Sequence, residues 1–118
     1  MKVKTNHQNG LWAETLACWL LRLKGYRIIA RRWRTPVGEI DILASRGRTL
    51  VIVEVKRRQT MEAALGCVTQ SQRQRLERAM RYAVGGKPHY MNFSWRFDLL
   101  AVAPGRFPRH IVNAWEAS

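Results

Sequence analysis

The order of segments along the chain, helix, three strands, helix, two strands, predicts a mixed central β-sheet flanked by helices, an α/β or α+β arrangement. Two segments, near residues 12–23 and 70–84, repeat apolar residues at helical spacing. Between them lie three short strand-like runs set off by Pro and Gly turns. No repeat, low-complexity tract or linker interrupts the 118 residues. They are read as one domain over 1–118, long enough to bury a core at 47% hydrophobic composition.

Asn9 or Gly10 stands where a cap would open the first helix, which runs to about Lys24 and ends at Gly25. Trp12, Leu16, Trp19, Leu20 and Leu23 are its expected core face, with Glu14, Ala17, Cys18 and Leu21 as the neighbouring stripe. Glu14 is thus a carboxylate among small and apolar residues, near the positive end of a helix dipole. Residues 26–33 alternate loosely and read as a strand. Thr35-Pro36-Val37-Gly38 is a turn, 39–44 a second strand, Ser45-Arg46-Gly47-Arg48 a tight turn and 49–57 a third strand. Residues 59–66 carry no clear period and read as loop. Gln70 to Val84 is a second helix, amphipathic through Leu76, Ala79, Met80 and Ala83 and ended by Gly85-Gly86. Residues 93–103 and 110–114 read as the last two strands.

Carboxylates interrupt the most strand-like segments: Asp41 in Ile40-Asp41-Ile42-Leu43-Ala44, and Glu54 with Lys56 in Leu50-Val51-Ile52-Val53-Glu54-Val55-Lys56. A buried charge needs a partner, and a metal ion is one. Strand side chains alternate faces, so Glu39, Asp41 and Leu43 share one, as do Leu50, Ile52, Glu54 and Lys56. A turn at Arg46-Gly47 sets Asp41 against Ile52; sliding the pairing by two sets Asp41 across from Glu54. Both place Asp41, Glu54 and Lys56 together, and both send Ile40, Ile42, Val51, Val53 and Val55 to the core. An odd-length loop or a bulge would break the arrangement. Adjacent carboxylates repel unless a proton or cation intervenes. Oxygen ligands on a rigid sheet suit Mg²⁺ or Mn²⁺, and such an ion activates water and neutralises phosphoryl charge. Lys56 would orient the attacking hydroxide or stabilise developing negative charge. The competing reading is an ion pair of Lys56 on a half-exposed sheet.

With 21 basic and 8 acidic residues the chain carries a net charge of +13. That points to an anionic partner, nucleic acid ahead of an anionic membrane surface. Arg57, Arg58, Arg73, Arg75, Arg78 and Arg81 follow or face the proposed site and are expected to contact phosphate, which gives affinity without sequence specificity. Arg31, Arg32 and Arg34 extend this track. Gln70, Gln72 and Gln74 read as surface, and the five tryptophans as core, with Trp33 the best base-stacking candidate. Asp98 reads as structural, paired with an arginine. His7, His89 and His110 share no metal-ligand spacing. Cys18 and Cys67 form no disulfide framework, so both are expected as free thiols in a reducing compartment, most simply the cytoplasm. No apolar run reaches the length of a membrane span, and no apolar stretch follows the lysines of Met1–His7, so this segment is not expected to be a signal peptide.

Asp41, then Glu54-Val55-Lys56 on the next strand, preceded by a helical Glu14, resembles the PD-(D/E)xK nuclease superfamily, with Ile40 where the motif has Pro. Glu14 matches the helical Glu of its archaeal Holliday-junction resolvases. The lines Gly10-Leu11-Trp12-Ala13-Glu14, Leu23-Lys24-Gly25-Tyr26-Arg27-Ile28-Ile29, Gly38-Glu39-Ile40-Asp41-Ile42-Leu43-Ala44 and Val53-Glu54-Val55-Lys56-Arg57-Arg58 are similar to the YraN-type family of uncharacterised endonuclease-like proteins. Where that family often shows Lys-Gln-Arg-Arg, this chain has Gln72-Arg73-Gln74-Arg75. The resemblance implies a restriction-endonuclease-like core and a Mg²⁺- or Mn²⁺-dependent endonuclease acting on DNA, branched or otherwise structured. It implies Asp41, Glu54 and Glu14 as metal ligands and Lys56 as the residue that positions the nucleophile. Resolution of a junction needs two symmetric cuts, so a homodimer is expected. The alternative is a module on the same fold that binds nucleic acid without cutting.

Overall fold

A computed structural model of the chain describes the backbone of residues 2–116 and the side chains of residues 10–116. The side chains of Met1–His7, on which the signal-peptide reading rests, lie outside the described residues. The elements are α1 (Lys2–Leu23), β1 (Arg27–Thr35), β2 (Gly38–Arg46), β3 (Thr49–Arg57), α2 (Met61–Leu65), α3 (Gln70–Val84), β4 (Ser94–Val102) and β5 (Arg109–Trp115). One 3₁₀ turn, Pro88–Tyr90, follows α3. The strands lie side by side in chain order. Only β3 and β4 are parallel. A parallel pair needs a long crossover, and α2 with α3 supplies it. The result is the mixed sheet flanked by helices of a restriction-endonuclease-like core.

Both faces of the sheet are core, where the strand pattern alone marked one. Ala13, Ala17, Cys18 and Leu21 of α1 cover Ile42, Ala44, Val51, Val53, Leu100 and Val102. Leu76, Ala79, Met80 and Ala83 of α3 cover Ile40, Leu43, Leu50, Ile52 and Phe97. A crossover puts helices on sheet faces, so the central strands read as continuous apolar runs rather than alternating ones.

The α1 helix differs most from expectation. It begins at Lys2, ahead of the expected cap at Asn9 or Gly10. Its inward stripe is Ala13, Glu14, Ala17, Cys18 and Leu21, the one expected to be secondary. Trp12 and Trp19 are 61% and 60% exposed and Leu23 is 81% exposed. Small residues let a helix backbone approach a sheet closely, and the three small side chains on the inner stripe do this where tryptophans could not. Of the five tryptophans only Trp115 is buried. It stacks on Phe97 at 5.4 Å.

Residues 59–66 hold the short α2, opened by Thr60, whose hydroxyl accepts from Ala63 N at 3.1 Å. The α3 helix matches its expected bounds because Thr69 and Gln72 form a reciprocal capping box. Gln72 accepts from Thr69 N at 2.9 Å, which gives it a structural task. Gly38, at φ +150, sits under the stem of Arg75, whose Cγ would lie 2.7 Å from an added Cβ. That contact fixes the β1–β2 hairpin against α3. Cys18 is buried and Cys67 partly buried, and both are free thiols.

Candidate active site

The hairpin that carries Asp41 and Glu54 turns at Gly47-Arg48, with Arg46 paired to Thr49. The ladder runs to Ile42 and Val53 and stops there. One step further brings Asp41 level with Glu54, the slid register of the two considered. There the strands part, and Val55 N donates to Asp41 Oδ2 at 2.9 Å. A side chain has taken the place of a ladder carbonyl.

The β2 strand also rolls over at this point. Ile40 packs beneath α3 and Ile42 beneath α1, although residues two apart in a regular strand share a face. Arg31 pairs with Ile42 and Trp33 with Ile40, so Arg32 stands opposite Asp41. Arg32 has φ 48, a left-handed conformation that is strained for a side chain of this size. The distortion parts Asp41 from Leu43, its expected face-mate, which stays in the α3-side core. Asp41 instead opens on a cleft of about 390 Å³ lined by Gly10, Ala13, Glu14, Asp41, Val55, Lys56, Arg57 and Arg58. Gly10 and Ala13 are small enough to leave it open beside the helix.

The charges around the cleft are tightly engaged. Glu54 is buried and pairs through Oε2 with Lys56 Nζ at 3.3 Å. Its other oxygen, Oε1, is buried and meets no donor. Burial, then the adjoining Asp41 carboxyl, pushes Glu54 up to about 8 against the pull of Lys56. Two carboxyls this close hold either a proton or a cation between them. Glu14, at the α1 wall, donates no proton to the cluster in its charged form; its Oε1 accepts from Arg32 Nη1 at 3.2 Å. Burial and the Asp41 charge raise its pKa, and Arg32 and Arg31 oppose the rise.

The Asp41–Glu54 pair fits a hard divalent cation. Mg²⁺ binds through one or two carboxylates, with water and substrate phosphate completing its shell. Among the described residues no three of His, Cys, Asp and Glu are grouped to hold a metal by themselves, and the engagement of Glu14 with Arg32 agrees with that.

Of the arginines expected on phosphate, Arg57 and Arg58 line the cleft. Arg73, Arg75 and Arg78 do not line it. They belong to α3 on the opposite face, where Arg73 lies over the Trp115 ring at 5.6 Å and Arg75 lies over Gly38. From sequence alone Arg32 reads only as an extension of the basic track. Nothing in a run of arginines marks which one meets Glu14, because the backbone twist at Arg32 decides it. Asp98 is fully buried and structural, as expected. It accepts from Arg96 at 2.9 and 2.8 Å and from Asn113 N at 2.9 Å. His110 Nε2 completes its shell at 2.7 Å. Lys24 Nζ reaches His110 Nδ1 at 2.9 Å. An ammonium can only donate, so Nδ1 accepts and Nε2 carries the proton given to Asp98.

No helix of the described residues is long and apolar enough to cross a membrane. Comparison with known proteins agrees with the motif reading at the level of family. A relative from Parvibaculum lavamentivorans is 51% identical over 106 residues, covering 90% of this chain and 80% of its own. One from a Caulobacter species is 50% identical over 107 residues, 91% of this chain and 77% of its own. One from Nitrobacter winogradskyi is 46% identical over 118 residues, all of this chain and 99% of its own. Each is described as a UPF0102 protein. The model of Uncharacterised protein family UPF0102, the YraN-type group, matches residues 13–102, which include Glu14, Asp41, Glu54 and Lys56, and the chain belongs to that family.

Proposed function

We propose that this protein is a metal-dependent endonuclease that hydrolyses phosphodiester bonds in DNA, with branched or otherwise structured DNA as substrate. The observation that carries the reading is the buried Glu54 oxygen without a donor, set beside Asp41 at the point where β2 and β3 part. Asp41 lines the basic cleft and the buried Glu54 adjoins it from behind, and carboxylates so placed repel phosphate unless a cation joins them. Asp41 and Glu54 would hold Mg²⁺ or Mn²⁺, and the ion would supply charge neutralisation on the phosphoryl group. Lys56, held 3.3 Å from Glu54, orients the attacking water and stabilises charge as the bond breaks. Arg57 and Arg58 fix the phosphate backbone in the cleft. Glu14 stands at the wall and holds Arg32; it joins the metal shell only when that pair opens.

The test is cleavage of linear, nicked and four-way-junction DNA with Mg²⁺, with Mn²⁺ and with EDTA. Activity is expected with either ion and none with EDTA. Asp41→Asn and Lys56→Ala should each lower the rate at least about 100-fold. Metal-independent cutting, or mutants equal to wild type, would overturn the reading. A second reading, a DNA-binding module without catalysis, is favoured by the engagement of Glu14 with Arg32 and Glu54 with Lys56. It predicts junction binding with no cleavage under any metal.

A further inference from the structure

Among the described side chains of α1, residues 10–23, the outer face is apolar and exposed. Trp12, Leu16, Trp19 and Leu23 lie along one side of the helix at intervals of four, three and four residues, the spacing of a coiled-coil seam. Trp12, Trp19 and Leu23 are exposed and Leu16 is half-buried. Together they present about 400 Å² of apolar surface, within the range of the largest patch on an ordinary monomer, which often has a function.

The spacing of the stripe, four, three and four, is the same in both directions. Its midpoint lies between Ala17 and Cys18. Trp12 and Leu23 are equidistant from that point, and so are Leu16 and Trp19. Such spacing suits an isologous contact, because across a two-fold axis each seam position of one copy then meets a seam position of the other. In an antiparallel pairing Trp12 packs on Leu23 and Leu16 on Trp19, each large ring against a smaller leucine. The basic residues near the stripe fall safely in the same register. Arg22 comes level with Ala13 and Lys24 with Leu11, so neither of these cations meets a cation of the other copy. Arg22 also lies over the Trp19 ring at 5.7 Å, which leaves it at the rim.

From this symmetry we infer that the exposed α1 stripe is the interface of a homodimer in which two copies of α1 pack antiparallel about a two-fold axis between residues 17 and 18. The area agrees. A standard interface buries about 800 Å² per partner, rather more than half of it apolar. The stripe supplies most of that apolar centre, and the flanking polar residues of α1 supply the rim. Glu14 lies on the inner side of the same helix, about one turn from the axis. If the cleft cuts DNA, a consequence that rests on the proposed function, the dimer would hold two clefts at a fixed spacing on one assembly.

Sedimentation equilibrium of the full chain across the micromolar range, at physiological salt, tests the inference without reference to cleavage. A dimer is expected. Trp19→Glu should weaken it at least about tenfold while leaving the melting temperature of dilute protein unchanged; Leu23→Glu, at the exposed end, should act in the same direction. The geometry has its own readout. In a Cys67→Ser background, Trp12→Cys mixed with Leu23→Cys should form an intermolecular disulfide, and Trp12→Cys alone should not. A monomer at every concentration would overturn the inference. So would a dimer indifferent to both glutamates, or one linked by Trp12→Cys alone. A monomer that binds phosphatidylglycerol vesicles through the stripe would assign the face to a lipid surface instead. Asp41→Asn is expected to dimerise normally, so this inference and the nuclease reading fail separately.

Discussion

Glu54 and Asp98 are both buried carboxylates of neighbouring parallel strands, and their surroundings drive them in opposite directions. Burial raises Glu54, the adjoining Asp41 raises it further, and Lys56 only partly offsets this. Burial would raise Asp98 too, but hydrogen bonds from His110, Arg96 and the Asn113 backbone outweigh it and hold its pKa below the ordinary value. The pH dependence of stability follows from the signs. A folded pKa raised to about 8 means that, between about 4.5 and 8, the folded state keeps a proton that the unfolded state has lost. Metal-free protein is therefore expected to lose stability as pH rises through that window, by a few kcal/mol at most, and Glu54→Gln should flatten the slope in thermal melts with EDTA. Asp98 works the other way. Its contribution is complete above the ordinary carboxylate range and is lost as pH falls through its depressed folded pKa. Asp98→Asn should cost about 3–5 kcal/mol at neutral pH, because Arg96 is left without its buried partner, and should reduce acid sensitivity in the same melts.

Among the elements, α1 shows how a helix can be amphipathic by pattern and still face the other way. Two stripes satisfy helical spacing, and the bulkier one is outside. The deciding factor is contact distance to the sheet, set by Ala13, Ala17 and Cys18. Leu21 is fully buried against the sheet and Trp19 is 60% exposed. Leu21→Ala is thus expected to cost about 2–5 kcal/mol by chemical denaturation. Trp19→Ala, in dilute protein, should cost less than about 0.5 kcal/mol. The reverse ranking would mean that α1 packs through its tryptophans after all.

The molecule as a whole is a small basic body with its cleft between α1 and the point where β2 and β3 part. A net charge of +13 favours any polyanion, but only residues that reach phosphate enter the salt dependence. Arg57 and Arg58 line the cleft and Arg75 and Arg78 do not. In DNA-binding titrations against salt, removal of Arg57 and Arg58 together should lower the slope of log K against log salt by about two. Removal of Arg75 and Arg78 should change it less. Equal effects would show that DNA tracks across α3 rather than through the cleft.

Strand and helix placement was readable directly, because turn and cap residues punctuate the chain: Gly47 at the hairpin, Thr69 with Gln72 at α3, Gly85 after it. The bounds of β3 and α3 follow from those signals alone. That Asp41 comes level with Glu54 was readable from the hairpin register, a local rule; the face on which Asp41 opens was not, because alternation fails where β2 rolls over. Four things waited for tertiary structure: which stripe of α1 faces inward, that both sheet faces are core, that β2 rolls over opposite Arg32, and that α3 carries its arginines away from the cleft. Each depends on how closely one element approaches another. Hydrophobic spacing records that a side is apolar, but the distance at which two surfaces come to rest depends on the side chains of both.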